Sequence, residues 1–186
     1  ATRDPVSNPA ETGTLLIEFG TLSKLTGKPV YYEKAKRALV ETYNRRSPIG
    51  LVGENINVET GKWTNTDSHV SGGIDSYYEY LLKCSVLFDD KDCHSMWEDS
   101  IAKVNTYLAD EPKSGLWYGH SDMNTGKRTS TTTGALDAFF PAVLALDGDP
   151  GHTVPADSVG PRAQQRGLAA ARRRAYHDDA ARTRVR

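Results

Sequence analysis

One segment of this chain is written twice, and that duplication constrains the fold more than any other feature. Gly50-Leu51-Val52 returns as Gly115-Leu116-Trp117, and Glu59-Thr60-Gly61-Lys62 returns as Asn124-Thr125-Gly126-Lys127, both displaced by 65 positions. Gly72-Gly73-Ile74-Asp75-Ser76-Tyr77-Tyr78 is then echoed by Gly134-Ala135-Leu136-Asp137-Ala138-Phe139-Phe140 at an offset of 62, which requires a shorter second loop. Self-similarity at this period marks modules that bury their apolar faces against neighbouring modules, as in stacked or circular arrays of helical hairpins. About two and a half modules fit in the 186 residues, enough chain for one core but not for two ordinary domains with linkers.

Each module has a readable plan. Asn8-Pro9-Ala10-Glu11 supplies a capping side chain, a first-turn proline and an acid ahead of Leu15, Phe19, Leu22 and Leu25, so a helix is expected from there to Gly27. Pro29 opens a second helix with Tyr32, Ala35, Leu39 and Tyr43 on its apolar face. After Pro48 the pattern changes: Leu51, Val52, Ile56 and Val58 precede Glu59-Thr60-Gly61-Lys62, Trp63 follows it, and the whole reads as a β-hairpin. Tyr77, Tyr78, Leu81, Leu82 and Phe88 mark the next helix, and Trp97, Ile101, Val104 and Leu108 the one after it. The expectation is an all-α fold with small β-hairpins, five main helices in total. In a closed α/α toroid both hairpins lie at one end, and Asp75 and Asp137 come to that end as first-turn acids.

Charge divides the chain near Asp149. Residues 1–149 carry 15 Lys+Arg against 21 Asp+Glu, while residues 150–186 carry 8 against 3, and all eight of those cations are arginine. The Arg/Ala-rich tail has few large apolar residues to offset the entropy of ordering, so it is expected to be a disordered extension or out-of-family sequence from a splice or gene-model error. It lacks the interleaved aromatic residues of a nucleic-acid surface, and no nucleic-acid partner is expected. No apolar run approaches the roughly 20 residues needed to span a bilayer, and residues 1–12 hold no signal-peptide core. Cys84 and Cys93 could pair in an oxidising lumen, but Cys84 falls within one helix and Cys93 at the start of the next, which favours two free thiols.

Three blocks, in order, carry a resemblance. Pro9-Ala10-Glu11-Thr12-Gly13-Thr14-Leu15-Leu16-Ile17-Glu18-Phe19, followed by Leu22-Ser23-Lys24-Leu25-Thr26-Gly27, is similar to the AE-x-G-[ST]-L-x-x-EF-x-x-LS-x-x-TG block of glycoside hydrolase family 47. Asp75-Ser76-Tyr77-Tyr78-Glu79-Tyr80-Leu81-Leu82-Lys83 resembles that family's DS-[FY]-YEYLLK block. Leu136-Asp137-Ala138-Phe139-Phe140-Pro141-Ala142 resembles the L-x-AF-[FW]-PG stretch of its ER degradation-enhancing branch. The resemblance covers residues 8–149 and implies part of an (α/α)7 barrel, with residues 1–149 as a partial catalytic domain and 150–186 as a tail outside it.

The family consists of calcium-dependent, inverting exo-glycosidases that trim α-1,2-linked mannose from high-mannose N-glycans. Inversion needs one carboxylic acid for the leaving oxygen and one carboxylate to activate water, about 6.5–9.5 Å apart. By motif position the resemblance implies that Asp75 is catalytic and that Glu11 lines the sugar site, although Glu11 can equally complete a capping box with Asn8. The general-acid F-E-x-x-I-R block, the R-P-E block and the late calcium-associated threonine have no counterpart here, and Gly73 stands where the processing branch carries arginine. No residue of this chain is therefore assigned to a metal, and the chain by itself is expected to be inactive, with exposed apolar flanks. The resemblance further implies a secretory-pathway location in, or attached to, the endoplasmic reticulum and high-mannose glycoproteins as partners, and leaves any chaperone or oxidoreductase partner unknown. The rival reading is a non-catalytic module that binds mannose glycans or misfolded glycoproteins.

Two other sets of residues invite chemistry. His69, His94 and His120 lack zinc-pair spacing, and Asn57, Glu59 and Asp67 do not make an EF-hand loop. Trp63, Trp117 and Tyr118 could stack on sugar rings, but packing is the expected role.

Overall fold

In a computed structural model of the protein, residues 5–110 and 116–148 are described. The proposed boundary at Asp149 and the tail lie outside these residues. The chain divides into two compact units, one comprising residues 1–110 and 117–137, the other residues 111–116 and 138–186.

In the first unit, strand β1 (Val6–Ser7) leads into a one-turn helix α1 (Pro9–Thr12), followed by α2 (Leu16–Thr26) and α3 (Val30–Asn44). The single helix expected between Asn8 and Gly27 is thus two. Asn8 caps α1 by accepting the Glu11 N–H at 3.0 Å, and the helix closes at Gly13, so the capping box terminates a short element rather than starting a long one. The break resets the phase of α2. Its buried positions are Leu16, Gly20 and Ser23, while Leu15, Phe19 and Leu25 of the expected apolar face are exposed, Leu25 to 81%. Gly20 faces the Phe88 ring so closely that a Cβ there would stand 2.5 Å from it, which places this side of α2 against the end of the later helix that Phe88 closes.

Hairpin β2 (Asn55–Asn57) and β3 (Lys62–Asn65) pairs antiparallel, with Ile56 opposite Trp63, and β1 adds to its edge. After β4 (Asp67–Ser68) come α4 (Asp75–Phe88) and α5 (Lys91–Tyr107), which pack as an antiparallel pair around Tyr77, Tyr78, Leu81, Leu82, Trp97, Ile101 and Val104. The reversal is tight. Asp89 takes the left-handed conformation with φ 53°, and Asp90 caps α5 by accepting the Cys93 N–H at 2.9 Å.

That reversal corrects the reading of the cysteines. Cys84 and Cys93 form a disulfide, with Cα atoms 5.9 Å apart. A residue near the end of one helix and a residue in the first turn of the next are brought face to face when the helices fold back on each other. Placement on two helices disfavours pairing only where the helices diverge, and the tight turn between these two brings the sulfurs together.

Strands β5 (Ala109–Asp110) and β6 (Trp117–Tyr118) pair, and the second hairpin follows as β7 (His120–Asp122) and β8 (Arg128–Ser130). β7 pairs with β4, and the Met123 N–H donates to the Thr66 carbonyl at 2.8 Å, so the second hairpin lies beside the exit of the first. A 3-10 turn over Ala135–Phe139 then replaces the helix start expected from the repeat. In the second unit, helix α6 (Phe140–Asp147) buries Phe140, Val143 and Leu144. No helix among the described residues is long and apolar enough to cross a membrane.

Candidate active site

Asp75 is the first residue of α4 and is half-buried. Its N–H donates to the Ser71 carbonyl at 2.8 Å, and its Oδ1 accepts the Ser76 N–H at 2.8 Å. The segment in front of it is held from the other side by α1, because the Ala10 N–H donates to the Gly73 carbonyl at 2.9 Å. This main-chain bond brings the short helix carrying Glu11 beside the start of the helix carrying Asp75. Glu11 is exposed and accepts a 2.6 Å hydrogen bond from the Ser7 hydroxyl, so its carboxylate is held by a side chain while its N–H serves the Asn8 cap. Capping and presentation of the acid coexist.

Gly73, with φ 92°, occupies the place of the arginine, and a Cβ there would meet Glu54 at 3.4 Å. Glu54 accepts from Asn65 Nδ2 at 2.6 Å and stands 3.9 Å from His69 Nε2. Around it the structure assembles groups that sequence reasoning set aside. His69 from the loop after β4 and His120 from β7 stack with ring centroids 4.4 Å apart, and His120 Nδ1 lies 2.6 Å from Asp67 Oδ2. The other oxygen of Asp67 accepts from Thr129 at 2.7 Å. Burial, followed by the neighbouring His120, pushes the His69 pKa below its ordinary value, so its ring is neutral at neutral pH. His94 is exposed on α5 and is outside this cluster. Separations of 51 positions between His69 and His120 and 53 between Asp67 and His120 give no sequence signal; only the β4–β7 pairing brings them together.

Asp137, the counterpart of Asp75 in the second repeat, is 6% exposed. Its Oδ2 accepts the Gly134 N–H at 2.7 Å and its Oδ1 has no hydrogen-bond partner. The aromatic candidates divide. Trp63 donates its Nε1–H to the Arg45 carbonyl at 2.6 Å and Tyr118 its hydroxyl to Asn105 at 2.6 Å, both packing roles, while Trp117 is 43% exposed. A cleft of about 730 Å³ lined by Gly20, Tyr32, Phe88 and Asp90 lies at the far end of α4, a helix length away from Asp75, and has no part in this site.

Neither cluster of His, Cys, Asp and Glu ligand atoms among the described residues suits calcium. That ion takes six to eight oxygen ligands. The ligand clusters present are Asp67 with His69 and His120, which is nitrogen-rich, and Asp90 with Cys84 and Cys93, whose sulfurs are joined to each other.

Comparison with known proteins agrees with this architecture. The chain is 38% identical over 145 residues to ER degradation-enhancing alpha-mannosidase-like protein 2 of Homo sapiens, covering 78% of this chain and 24% of that protein. It is 38% identical over 144 residues to Alpha-mannosidase I MNS4 of Arabidopsis thaliana, covering 77% of this chain and 22% of that one. The solved alpha-1,2-mannosidase from Trichoderma reesei superposes with a TM-score of 0.70 at 27% identity, over 80% of this chain and 32% of that chain. The fold is accordingly part of an (α/α)7 barrel, and the chain spans about a quarter of the length of these curated relatives. The profile of Glycosyl hydrolase family 47 matches residues 1–179, and the chain belongs to that family.

Proposed function

We propose that this chain supplies the Asp75 and Glu11 portion of an α-1,2-mannosidase site, which in the complete protein hydrolyses terminal α-1,2-linked mannose of high-mannose N-glycans with inversion. The observation that carries the reading is the bond from the Ala10 N–H to the Gly73 carbonyl, which sets the two carboxylate-bearing helix starts side by side. Asp75 acts at the reacting sugar and Glu11 lines the pocket. One such pair does not complete the chemistry, because protonation of the leaving oxygen and activation of water call on further carboxyl groups. Calcium belongs to the complete site rather than to these residues. The protein works in the secretory pathway, in the endoplasmic reticulum, on high-mannose glycoproteins.

Mannose release from a high-mannose glycan, measured with calcium and with chelator, tests this reading on the 186-residue chain and on a form extended to the relatives' length. The short chain is expected to be nearly inactive. In the extended form Asp75→Asn should lower turnover by about 10²–10⁴-fold, the range for a positioned acid or base, with little change in thermal stability. Strong release by the short chain that does not depend on Asp75 overturns the proposal. Glycan binding by the extended form with no turnover supports a non-catalytic, glycan-binding module instead.

A further inference from the structure

The hydrogen bonds of His69 lead to Asp75 in two steps. His69 Nδ1 accepts the Ser71 N–H at 3.1 Å, and the Ser71 carbonyl accepts the N–H groups of Ile74 at 3.1 Å and Asp75 at 2.8 Å. Ser71 is thus fixed on its donor side by an imidazole and on its acceptor side by the first turn of α4. A ring nitrogen that accepts an N–H carries no proton, so the neutral ring holds its hydrogen on Nε2. A second proton would have to enter at Nδ1, where it would face the Ser71 N–H donor to donor and cost that bond.

We infer that His69 is a positioning residue for Asp75 that works only as a neutral imidazole, so that acidification loosens the 69–74 loop and displaces the candidate catalytic carboxylate. This rests on the assignment of Asp75 proposed above. The groups facing His69 are His120, stacked at 4.4 Å and itself bonded to Asp67, then Glu54 at 3.9 Å, and Asp137 of the second repeat. The three carboxylates favour a charged ring; burial at 3% exposure and the His120 ring oppose it more strongly. The sign follows. A histidine whose folded pKa lies below its unfolded value near 6.5 contributes its full stabilisation above that value, and loses it as pH falls from there toward the folded pKa.

Asp67, His69 and His120 place ligand atoms within 4.8 Å of one another, a spacing compatible with a transition metal. Two features favour a hydrogen-bonded cluster over an ion: the His120–Asp67 separation of 2.6 Å is that of a hydrogen bond, and the bare nitrogen of His69 is already occupied by Ser71.

Amide hydrogen exchange on the 186-residue chain, corrected for intrinsic rates between about pH 5 and 7.5, tests the inference. Protection of Ser71, Ile74 and Asp75 should be level above about pH 6.5 and fall below it by up to about tenfold per pH unit, the limit for one proton. His69→Asn keeps an acceptor for the Ser71 N–H without a titrating ring, and should stay protected and flat with pH. His69→Ala should be unprotected throughout. Wild-type protection that is level across the range, or an equal fall in His69→Asn, overturns the inference. So does protection that rises with added Zn²⁺ in the wild type and not in His120→Asn, since an ion would then be the occupant. Failure of the Asp75 assignment appears separately, as unchanged turnover of Asp75→Asn in the extended form alongside the expected protection profile.

Discussion

The two repeats share the main-chain hydrogen bonds of their turns and part company after the hairpin strands. In the first, Asn57 Oδ1 accepts the N–H groups of Glu59 and Thr60, and Gly61 closes the turn with φ 69°. In the second, Asp122 Oδ1 accepts those of Asn124 and Thr125, and Gly126 closes it with φ 68°. Both glycines return an N–H bond of 2.8 Å to the residue four positions back. Beyond the turns, the first repeat continues through the His69 loop into the 14-residue helix α4, whereas the second continues into a 3-10 turn with Asp137 buried inside it. Local chemistry makes the turns alike, and the partners each segment meets afterwards make their continuations different. Asp75 is half-buried at a helix start, whereas Asp137 is 6% exposed with its Oδ2 tied to the Gly134 N–H.

Substitution can break this contrast at several strengths. The largest effect is the loss of turnover expected for Asp75→Asn, and the same change at Asp137 in the extended form should leave turnover within a few-fold of wild type if only the first repeat carries chemistry. Comparable losses at both positions would erase the distinction. Next is the clamp present in the first repeat alone. Replacing Cys84 and Cys93 with alanine should destabilise the first unit by about 2–4 kcal/mol in denaturant melts, the range for a disulfide closing a short loop. No loss would mean that packing of α4 on α5 suffices without the covalent link.

Smaller effects test the turns. Gly61→Ala and Gly126→Ala each force an L-residue into the left-handed region at about 1–2 kcal/mol. The added methyl at position 126 meets the Tyr107 ring at 2.5 Å, while at position 61 it meets the movable Arg45 side chain at 2.6 Å, so Gly61→Ala should be the milder in melting temperature. Smallest is Asp137→Ala, which removes the acceptor for the Gly134 N–H but also a buried oxygen with no partner, and should cost about 1 kcal/mol or less in the same melts.

The order of elements, the hairpin turns and the positions of Asp75 and Glu11 at element starts were legible because each is written in adjacent residues: a cap, a proline, a Thr-Gly-Lys turn, a run of apolar residues at helical spacing. What was not legible depended on contacts distant in sequence. The apolar stripe of α2 departs from the expected one because the break at Gly13 shifts the phase, and Leu16, not Leu15, turns inward. The disulfide is a property of the α4–α5 reversal, which residue spacing alone does not give. Asp67, His69 and His120 form a cluster only after β4 pairs with β7, and no spacing along the chain announces a strand pairing across 53 residues.

The bond between the Ala10 N–H and the Gly73 carbonyl has an evolutionary consequence. Because both partners are main-chain atoms, the junction survives almost any exchange of side chains around it, and a lineage can vary the groups displayed at positions 10, 11 and 74 without losing the scaffold that aligns them. Proline is the exception at position 10, since it removes the one hydrogen on which the junction depends while the first turn of α1 would still tolerate it. Selection on specificity and selection on architecture therefore act on different atoms of the same few residues.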